Sequence, residues 1–469
     1  MIYTYQDLLK VADDDRRKME FARSLINNYK DSELYENAVL AKEYDRRRNR
    51  TILSYQKLLH TMSGRSVPDN FSANYKMCSN FFDFFVTQEN QYLLGNGVTW
   101  QNTATAGKLG DDFDTQLSIA GKKALVEGEA FGFWNLDHLE VFGASEFVPL
   151  YDEENGALMA GVRFWQIDKL KPLRATLYEI DGYTEYIWDD IGGRVLSPKR
   201  AYIVHLQSTE VDGTEIYDLE NYPSFPIVPL WGSQKKQSEL VGLQENIDAY
   251  DLIKSGFAND LDDASQIYWI LKNAGGMDET DLVEFLNKMK RVHAANLDDG
   301  VEAQPNTIEV PYAAREALLT RLRDDLFEQA MAFDPKKLAS GGSVVTAAIE
   351  ASYQPLDTKT DEYEFCIRDF LKNLLDVVGI EDENPTFTRS RVINEQEQIQ
   401  TVLSAGQYLP QEYVTRKILT ILGDGDQADD IIKEMEAEDL KRMSGIGDEK
   451  DDDETEPGEG AQNPEGEEE

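Results

Sequence analysis

Residues 225–263 read FPIVPLWGSQKKQSELVGLQENIDAYDLIKSGFANDLDD. The first seven form an apolar run punctuated by Pro226 and Pro229, as in a short buried strand. The remainder predicts a helix over 237–264. Leu240, Leu243, Ile247, Tyr250, Lys254, Phe257 and Leu261 recur at alternating spacings of three and four. That is a one-sided stripe along roughly seven turns, with a polar opposite face. Lys254 interrupts it, as a long stem with a charged head can. One side of such a helix is built for packing and the other for water. On periodicity alone, an ordinary amphipathic helix packed on its own domain is the favoured reading of the pattern.

Downstream, a small module is expected. SQIYWILKNAGG (265–276) reads as a strand ending in a glycine turn, MDETDLVEFLNKMKR (277–291) as a capped helix, and VEAQPNTIEV (301–310) as an extended return. A second helix spans 312–331, with Leu318, Leu322, Leu326 and Ala330 at i, i+4 spacing. FDPKKLASGGSVV (333–345), broken by Pro335 and Gly341-Gly342, predicts a loop. A long helix over 345–378 comes next, with a kink expected at Pro355. Two or three short helices over 394–440 turn at Gly406, Pro410 and Gly423.

Upstream, residues 127–232 alternate short apolar runs with turn dipeptides, among them Asn155-Gly156 and Asp181-Gly182, and predict a mostly antiparallel β region. Residues 5–60, 71–94 and 111–126 read as helical, with a stop at Gly95-Asn96-Gly97. The basic cluster Asp45–Arg50 (DRRRNR) suits a solvated helix face, or a contact with an acidic neighbour or DNA.

At 469 residues the chain is long enough for two to four substructures, and 41% apolar residues give ample core material. Its net charge is −41. The stretch Asp448–Glu469 holds twelve acidic residues and one lysine, so the rest of the chain is strongly acidic too. This argues against a tight, static nucleic-acid binder, whose affinity comes from cations on phosphate. It leaves open a wall that surrounds DNA loosely. The Gly/Pro-rich acidic tail is expected to be disordered. It could serve as a solubilising bristle, an electrostatic mimic or a docking tail.

Little in the chain points to catalysis. Cys78 and Cys366 fit no disulfide framework or zinc spacing. No P-loop exists; Gly121-Lys122-Lys123 and Ser340–Ser343 come nearest. His60, His138, His205 and His293 are scattered, with no HExxH, and there is no GxSxG elbow. Asp260, Asp262 and Asp263 read as solvated charge at a helix end. The expectation is no enzyme, no cofactor and no metal. The polar N-terminus and the lack of a long apolar run predict no secretory leader and no membrane span.

The order of these segments resembles the portal protein family of tailed double-stranded DNA phages, in its siphophage branch. Four strings carry the likeness over about 70–440. NYKMCSNFFDFFVTQENQYLLGNGV (74–98) holds the Tyr-Leu-Leu-Gly-Asn helix end, and EGEAFGFWNLD (127–137) is similar to the first β segment after it. Residues 225–263 hold the Pro-flanked strand, Ser-Glu-Leu step and Ile-Asp-Ala-Tyr-Asp helix, and DGDQADDIIKEMEAE (424–438) resembles the acidic C-terminal helix. ASGGSVVTAA departs from the family's Ser-Gly-Val/Ala-Ala-Leu run, which puts the loop's conformation in question.

The resemblance implies an α+β portal fold with a β-rich wing (1–236, with 345–390), stem helices (237–264 and 312–332), a small α/β clip (265–311), a tunnel loop (333–344), a helical crown (391–443) and the tail (444–469). It implies a ring, typically a dodecamer, at one capsid vertex of the virion, assembled in the host cytoplasm. Double-stranded DNA would pass through it non-specifically during packaging and ejection, with no membrane involved. The implied partners are the major capsid protein, terminase and a head–tail adaptor. Lys336, Lys337, Ser340, Gly341, Gly342 and Ser343 would face DNA, and Leu240, Leu243, Ile247, Tyr250, Phe257 and Leu261 would pack the stem. The alternatives are another head–tail connector or capsid-associated protein, or a metal-dependent nuclease.

Overall fold

The computed structural model describes residues 3–60, 65–69, 72–209, 215–264, 268–272, 278–292, 302–306, 312–339, 346–380, 384–391, 395–423 and 425–444. It divides into two units, residues 1–341 with 350–391 and residues 342–349 with 392–469.

The first unit opens with helices. The Asp14 carboxylate caps α1 (Asp15–Lys30) by accepting from the backbone N–H of Arg16 and Arg17. Ser32 caps α2 (Glu33–Asp45) through the Tyr35 N–H. The helical start is broken, because Arg47 takes a left-handed φ of 59° just past α2. The basic cluster there is partly answered within the chain: Arg47 bonds Asp83 at 3.1 Å, and Arg50 grips Glu43 at 2.8 and 2.9 Å. Helix α3 (Phe81–Leu94) starts ten residues later than expected, since the stretch before it is drawn out along another helix. Helix α4 (Phe113–Glu127) stops at Gly128, whose φ of 88° suits glycine.

The β region is antiparallel. Strands β1 (Glu129–Asn135) and β2 (His138–Gly143) pair, and β10 (Ile227–Trp231) adds to β1, aligning Ile227 with Phe133 and Trp231 with Glu129. A five-stranded sheet holds β3 (Phe147–Tyr151), β4 (Leu158–Trp165), β5 (Leu173–Glu179), β6 (Gly182–Asp189) and β7 (Gly192–Arg200) in the order β7-β6-β5-β4-β3. Strands β8 (Ile203–Thr209) and β9 (Glu215–Glu220) form a separate pair. The expected turns fall where the dipeptides sit, Asn155-Gly156 between β3 and β4, and Asp181-Gly182 between β5 and β6. Leu25 and Ile26 of α1 close over Val148, Val162 and Leu177 of this sheet. Leu117, Ala120 and Ala124 of α4 join the core that includes Leu139 and Leu230 of the smaller one.

Two helices bracket the insert. Helix α5 (Gln244–Ala264) leads to β11 (Tyr268–Lys272), α6 (Glu279–Val292) and β12 (Glu302–Asn306), and α7 (Tyr312–Gln329) returns. Strands β11 and β12 pair antiparallel, Tyr268 opposite Asn306 and Lys272 opposite Glu302. Asp278 and Asp281 cap α6 reciprocally, each side chain accepting the other's N–H at 2.9 and 3.1 Å. Helices α5 and α7 lie antiparallel: Asn246 bonds Gln329 at 2.6 Å near one end, and Asp260 pairs with Arg315 near the other. The expected loop after α7 contains a short helix, α8 (Pro335–Ala339), and α9 (Thr346–Val378) runs 33 residues as one helix through Pro355.

In the second unit, α10 (Glu395–Ala405), α11 (Gln411–Leu422) and α12 (Ala428–Ser444) pack in sequence, with Val414, Ala428 and Ile432 buried. Arg416 of α11 bonds Asp429 of α12 at 2.6 Å. The acidic tail after Ser444 lies outside the described residues.

Candidate functional site

The site is built on α5, whose two halves are buried by different chemistry. The helix starts at Gln244, seven residues later than the periodicity predicts. Before it, the Ser238 hydroxyl accepts the Leu240 N–H at 3.1 Å and Gly242 holds a φ of 89°, a conformation no helix interior contains. Leu240 and Leu243 are nevertheless buried in that turn, and Ile247 is buried one turn into the helix. Beyond Ile247 the buried line becomes polar: Asp251, Ser255 and Asn259, at i+4 spacing. Tyr250 and Phe257 are half-buried, and Leu261 is exposed within the single chain. Of the expected helical stripe, Ile247 alone is both on the helix and buried, while Leu240 and Leu243 are buried in the turn before it.

The polar line is satisfied by an extended segment. The N–H groups of Tyr75, Met77 and Ser79 reach Asn259 Oδ1 at 2.6 Å, Ser255 Oγ at 2.9 Å and Asp251 Oδ1 at 2.9 Å. Two residues of extended chain advance about 6.6 Å and four residues of helix about 6 Å, so the rungs stay in step. Asn49 adds its side-chain amide to Asp251. Burial raises the Asp251 carboxyl pKa above its ordinary value, while these donors pull it down.

A second anchor fixes the base of the expected loop. Leu326 and Phe327 at the end of α7 are buried, and Met331 turns the chain with a φ of 52°. Gln88 of α3 then clamps the backbone of Phe333, accepting its N–H at 2.9 Å and donating to its carbonyl at 3.0 Å. The Phe333 ring stacks on Tyr353 of α9 at 4.1 Å, and Tyr353 stacks on Tyr92 at 5.6 Å. Asp334 takes a two-pronged bond from Arg323, 2.7 and 2.8 Å, which holds its carboxyl below the usual range. The same carboxylate accepts the Lys336 N–H at 3.0 Å. Asp334 before Pro335 is a helix start signal, which explains why Pro335–Ala339 is helical where a loop is expected. Lys336 and Lys337 are exposed on this turn, with Lys337 3.6 Å from Glu328. Ser340, Gly341, Gly342 and Ser343 lie outside the described residues.

A third anchor ties the turn before α5 to the core. Lys359 of α9 sits 2.7 Å from both Glu89 of α3 and Glu239. Burial pushes the Glu89 pKa up to about 7 against the pull of Lys359. Burial also opposes the charge on Lys359, yet the two carboxylates hold its pKa above that of an ordinary lysine. Neither the clamp nor this triad is foreshadowed by periodicity.

The residues weighed for catalysis do not converge. His138 meets Asp137 at 2.8 Å, and His205 lies 3.7 Å from Glu220. His293 lies outside the described residues. Cys78 and Cys366 are half-buried and unlinked. Among the described residues no group of His, Cys, Asp and Glu could hold a metal, and no helix is long and apolar enough to cross a membrane.

A unit of helices and antiparallel sheets thus carries two antiparallel helices that bracket a strand–helix–strand insert, with an anchored, lysine-bearing turn after them. The family model described as "Phage portal protein, SPP1 Gp6-like" matches residues 12–441. The chain belongs to this family of phage portal proteins, which is structural and non-enzymatic, and its function is that of a phage portal. It is 24% identical over 381 residues to the portal protein of Clostridium phage phiCD119, covering 74% of this chain and 81% of that one. It is 25% identical over 379 residues to the portal protein of Bacillus phage SPP1, covering 74% and 73%. Among solved structures, a chain from the virion of a native gene transfer agent particle matches 73% of this chain and 89% of its own length, at 12% identity and a TM-score of 0.42. A chain from the neck of an empty gene transfer agent particle matches 73% and 90%, at 10% identity and the same TM-score.

Proposed function

We propose that copies of this chain close into a ring, a dodecamer, and that α5 and α7 of each copy line a bore through which double-stranded DNA is packaged and ejected. The observation that carries this reading is the antiparallel α5–α7 pair. It is locked to the rest of its unit by the Asp251 ladder and the Glu89–Lys359–Glu239 triad, yet leaves Leu252, Leu261, Tyr312 and Leu318 exposed. A closed head-to-tail ring leaves no such face without a neighbour.

In this reading residues 1–236 with 345–390 are the wing, 265–311 the clip, 333–344 the tunnel loop and 391–443 the crown. Lys336 and Lys337, with Ser340, Gly341, Gly342 and Ser343, face the DNA. Repeated around a ring, the two lysines form a cationic collar in an acidic bore, touching phosphates without reading sequence. Leu240, Leu243, Ile247, Tyr250, Phe257 and Leu261 pack the stem within and between copies. The ring sits at the capsid vertex of the virion after assembly in the host cytoplasm. It meets the major capsid protein, terminase and a head–tail adaptor, and ATP hydrolysis belongs to the terminase rather than to this chain.

A conditional knockout of the gene tests the conduit role. Heads formed without the protein should contain no DNA, and full heads in its absence would refute the assignment.

A further inference from the structure

Three aliphatic side chains stand almost wholly in solvent at one end of the five-stranded sheet: Ile167 is 89% exposed, Leu170 92% and Ile191 92%. The strand register makes them neighbours. Trp165, the last residue of β4, lies opposite Arg174; Leu173, the first of β5, lies opposite Trp188; and Asp189 lies opposite Gly192. The β4–β5 loop and the β6–β7 turn therefore leave the same end of the sheet side by side.

These tips are held in shape. Gln166 donates to the Lys171 carbonyl at 2.8 Å, and Asp168 accepts the Leu170 N–H at 2.9 Å, so the loop is folded on itself. Asp189 accepts the Ile191 N–H at 3.0 Å and pairs with Arg194 at 2.7 Å. A two-residue hairpin turn ordinarily takes Asn, Asp or Gly; a β-branched apolar residue at its tip fits a contact rather than the turn.

Local charge points to the occupant. Lys169, Lys171, Arg174 and Arg194 stand against Asp168, Asp189 and Asp190, so this end is slightly cationic on a chain of net charge −41. A second copy offers a predominantly acidic surface, which this end can approach without the repulsion that separates most pairs of faces.

We infer that Ile167, Leu170 and Ile191 form a preorganised apolar knob that docks on a neighbouring copy of this chain, making a contact separate from the helix pair. The inference rests on the ring reading above.

The test uses the purified full-length chain. In one arm Ile167, Leu170 and Ile191 are all replaced by Ser; each is so exposed that the fold should not depend on it. In the other, a benzophenone amino acid replaces Ile191 and the sample is irradiated. The expected results are at least a tenfold fall in the ring fraction at a fixed micromolar concentration, and a crosslinked band of twice the subunit mass whose two peptides both come from this chain. Rings that form as readily in the triple variant, with no such band, would overturn the knob and leave the ring reading standing. A wild-type chain that forms no ring would instead overturn the ring reading.

Discussion

Asp251 Oδ1, in the middle of helix α5, accepts the backbone N–H of Ser79 at 2.9 Å. With Ser255 and Asn259 it makes α5 a ladder on which an extended strap is hung by alternate amides. The bonds go to backbone, so the strap's side chains are not what the helix reads. The arrangement fixes the helix from its polar side and leaves apolar residues on its surface.

Replacing Asp251 with Ala strands the amides of Ser79 and Asn49 in a buried place. The expected loss is about 2–4 kcal/mol, against about 1 kcal/mol for Ser255→Ala. The shift of the urea midpoint measures both, and a loss below about 0.5 kcal/mol for Asp251→Ala would show that the ladder does not hold the strap.

Removing Lys359 as Lys359→Met leaves Glu89 and Glu239 facing each other with no cation between them. We expect a cost of about 3–5 kcal/mol by the same measurement. Glu89→Gln with Lys359 intact should cost far less, because the buried carboxylate is itself a burden.

The sign of the pH effect is set by Glu89. Its pKa in the folded chain, about 7, lies above its ordinary 4.5. Between those values the folded state binds a proton that the unfolded chain releases. This group therefore stabilises the fold most near the ordinary value and below, and the contribution is lost as pH rises through 7. The contrast is stability at pH 5.5 minus stability at pH 8. It should be larger in wild type than in Glu89→Gln by about 1–3 kcal/mol. Equal contrasts would mean that Glu89 stays ionised throughout.

Arg323→Ala removes both prongs on Asp334 and loosens the turn carrying Lys336 and Lys337. Tryptic cleavage after these lysines should quicken on the order of tenfold or more, as local opening becomes easier. An unchanged rate would place the constraint elsewhere, in the Gln88 clamp or the Phe333–Tyr353 stack.

Changing Lys336 and Lys337 together to Ala or to Glu should alter packaged-genome length or retention and leave oligomer size unchanged. Unchanged genome length and phage yield in the double variant would remove the collar.

Much of the fold is readable in the chain itself. The alternation of turn dipeptides and apolar runs over 127–232 marks the antiparallel sheets, and the cap and return around Asp278 mark the insert. Leu240, Leu243 and Ile247 are buried, although only Ile247 lies on the helix that their spacing predicts. The rest is hidden for a physical reason. A hydrophobic stripe assumes that what is buried is apolar, but Asp251, Ser255 and Asn259 are buried against backbone donors, a partner that side-chain periodicity cannot reveal. The late start of α3 has the same cause, since Tyr75–Ser79 is drawn out along α5. At the loop, Pro335 and the Gly-Gly step outweigh Asp334 as a cap, which conceals a helical turn. The clamps by Gln88 and Lys359 join residues more than 100 positions apart, and no local signal announces them.

Annular assembly is the claim on which the rest depends. Electron microscopy of the purified full-length chain, with rotational averaging, addresses it most directly. The predicted result is closed rings with a central opening, and the 244–264 and 312–329 helices of each copy turned toward the axis. Single particles or open filaments, with both helices enclosed within each copy, would contradict it.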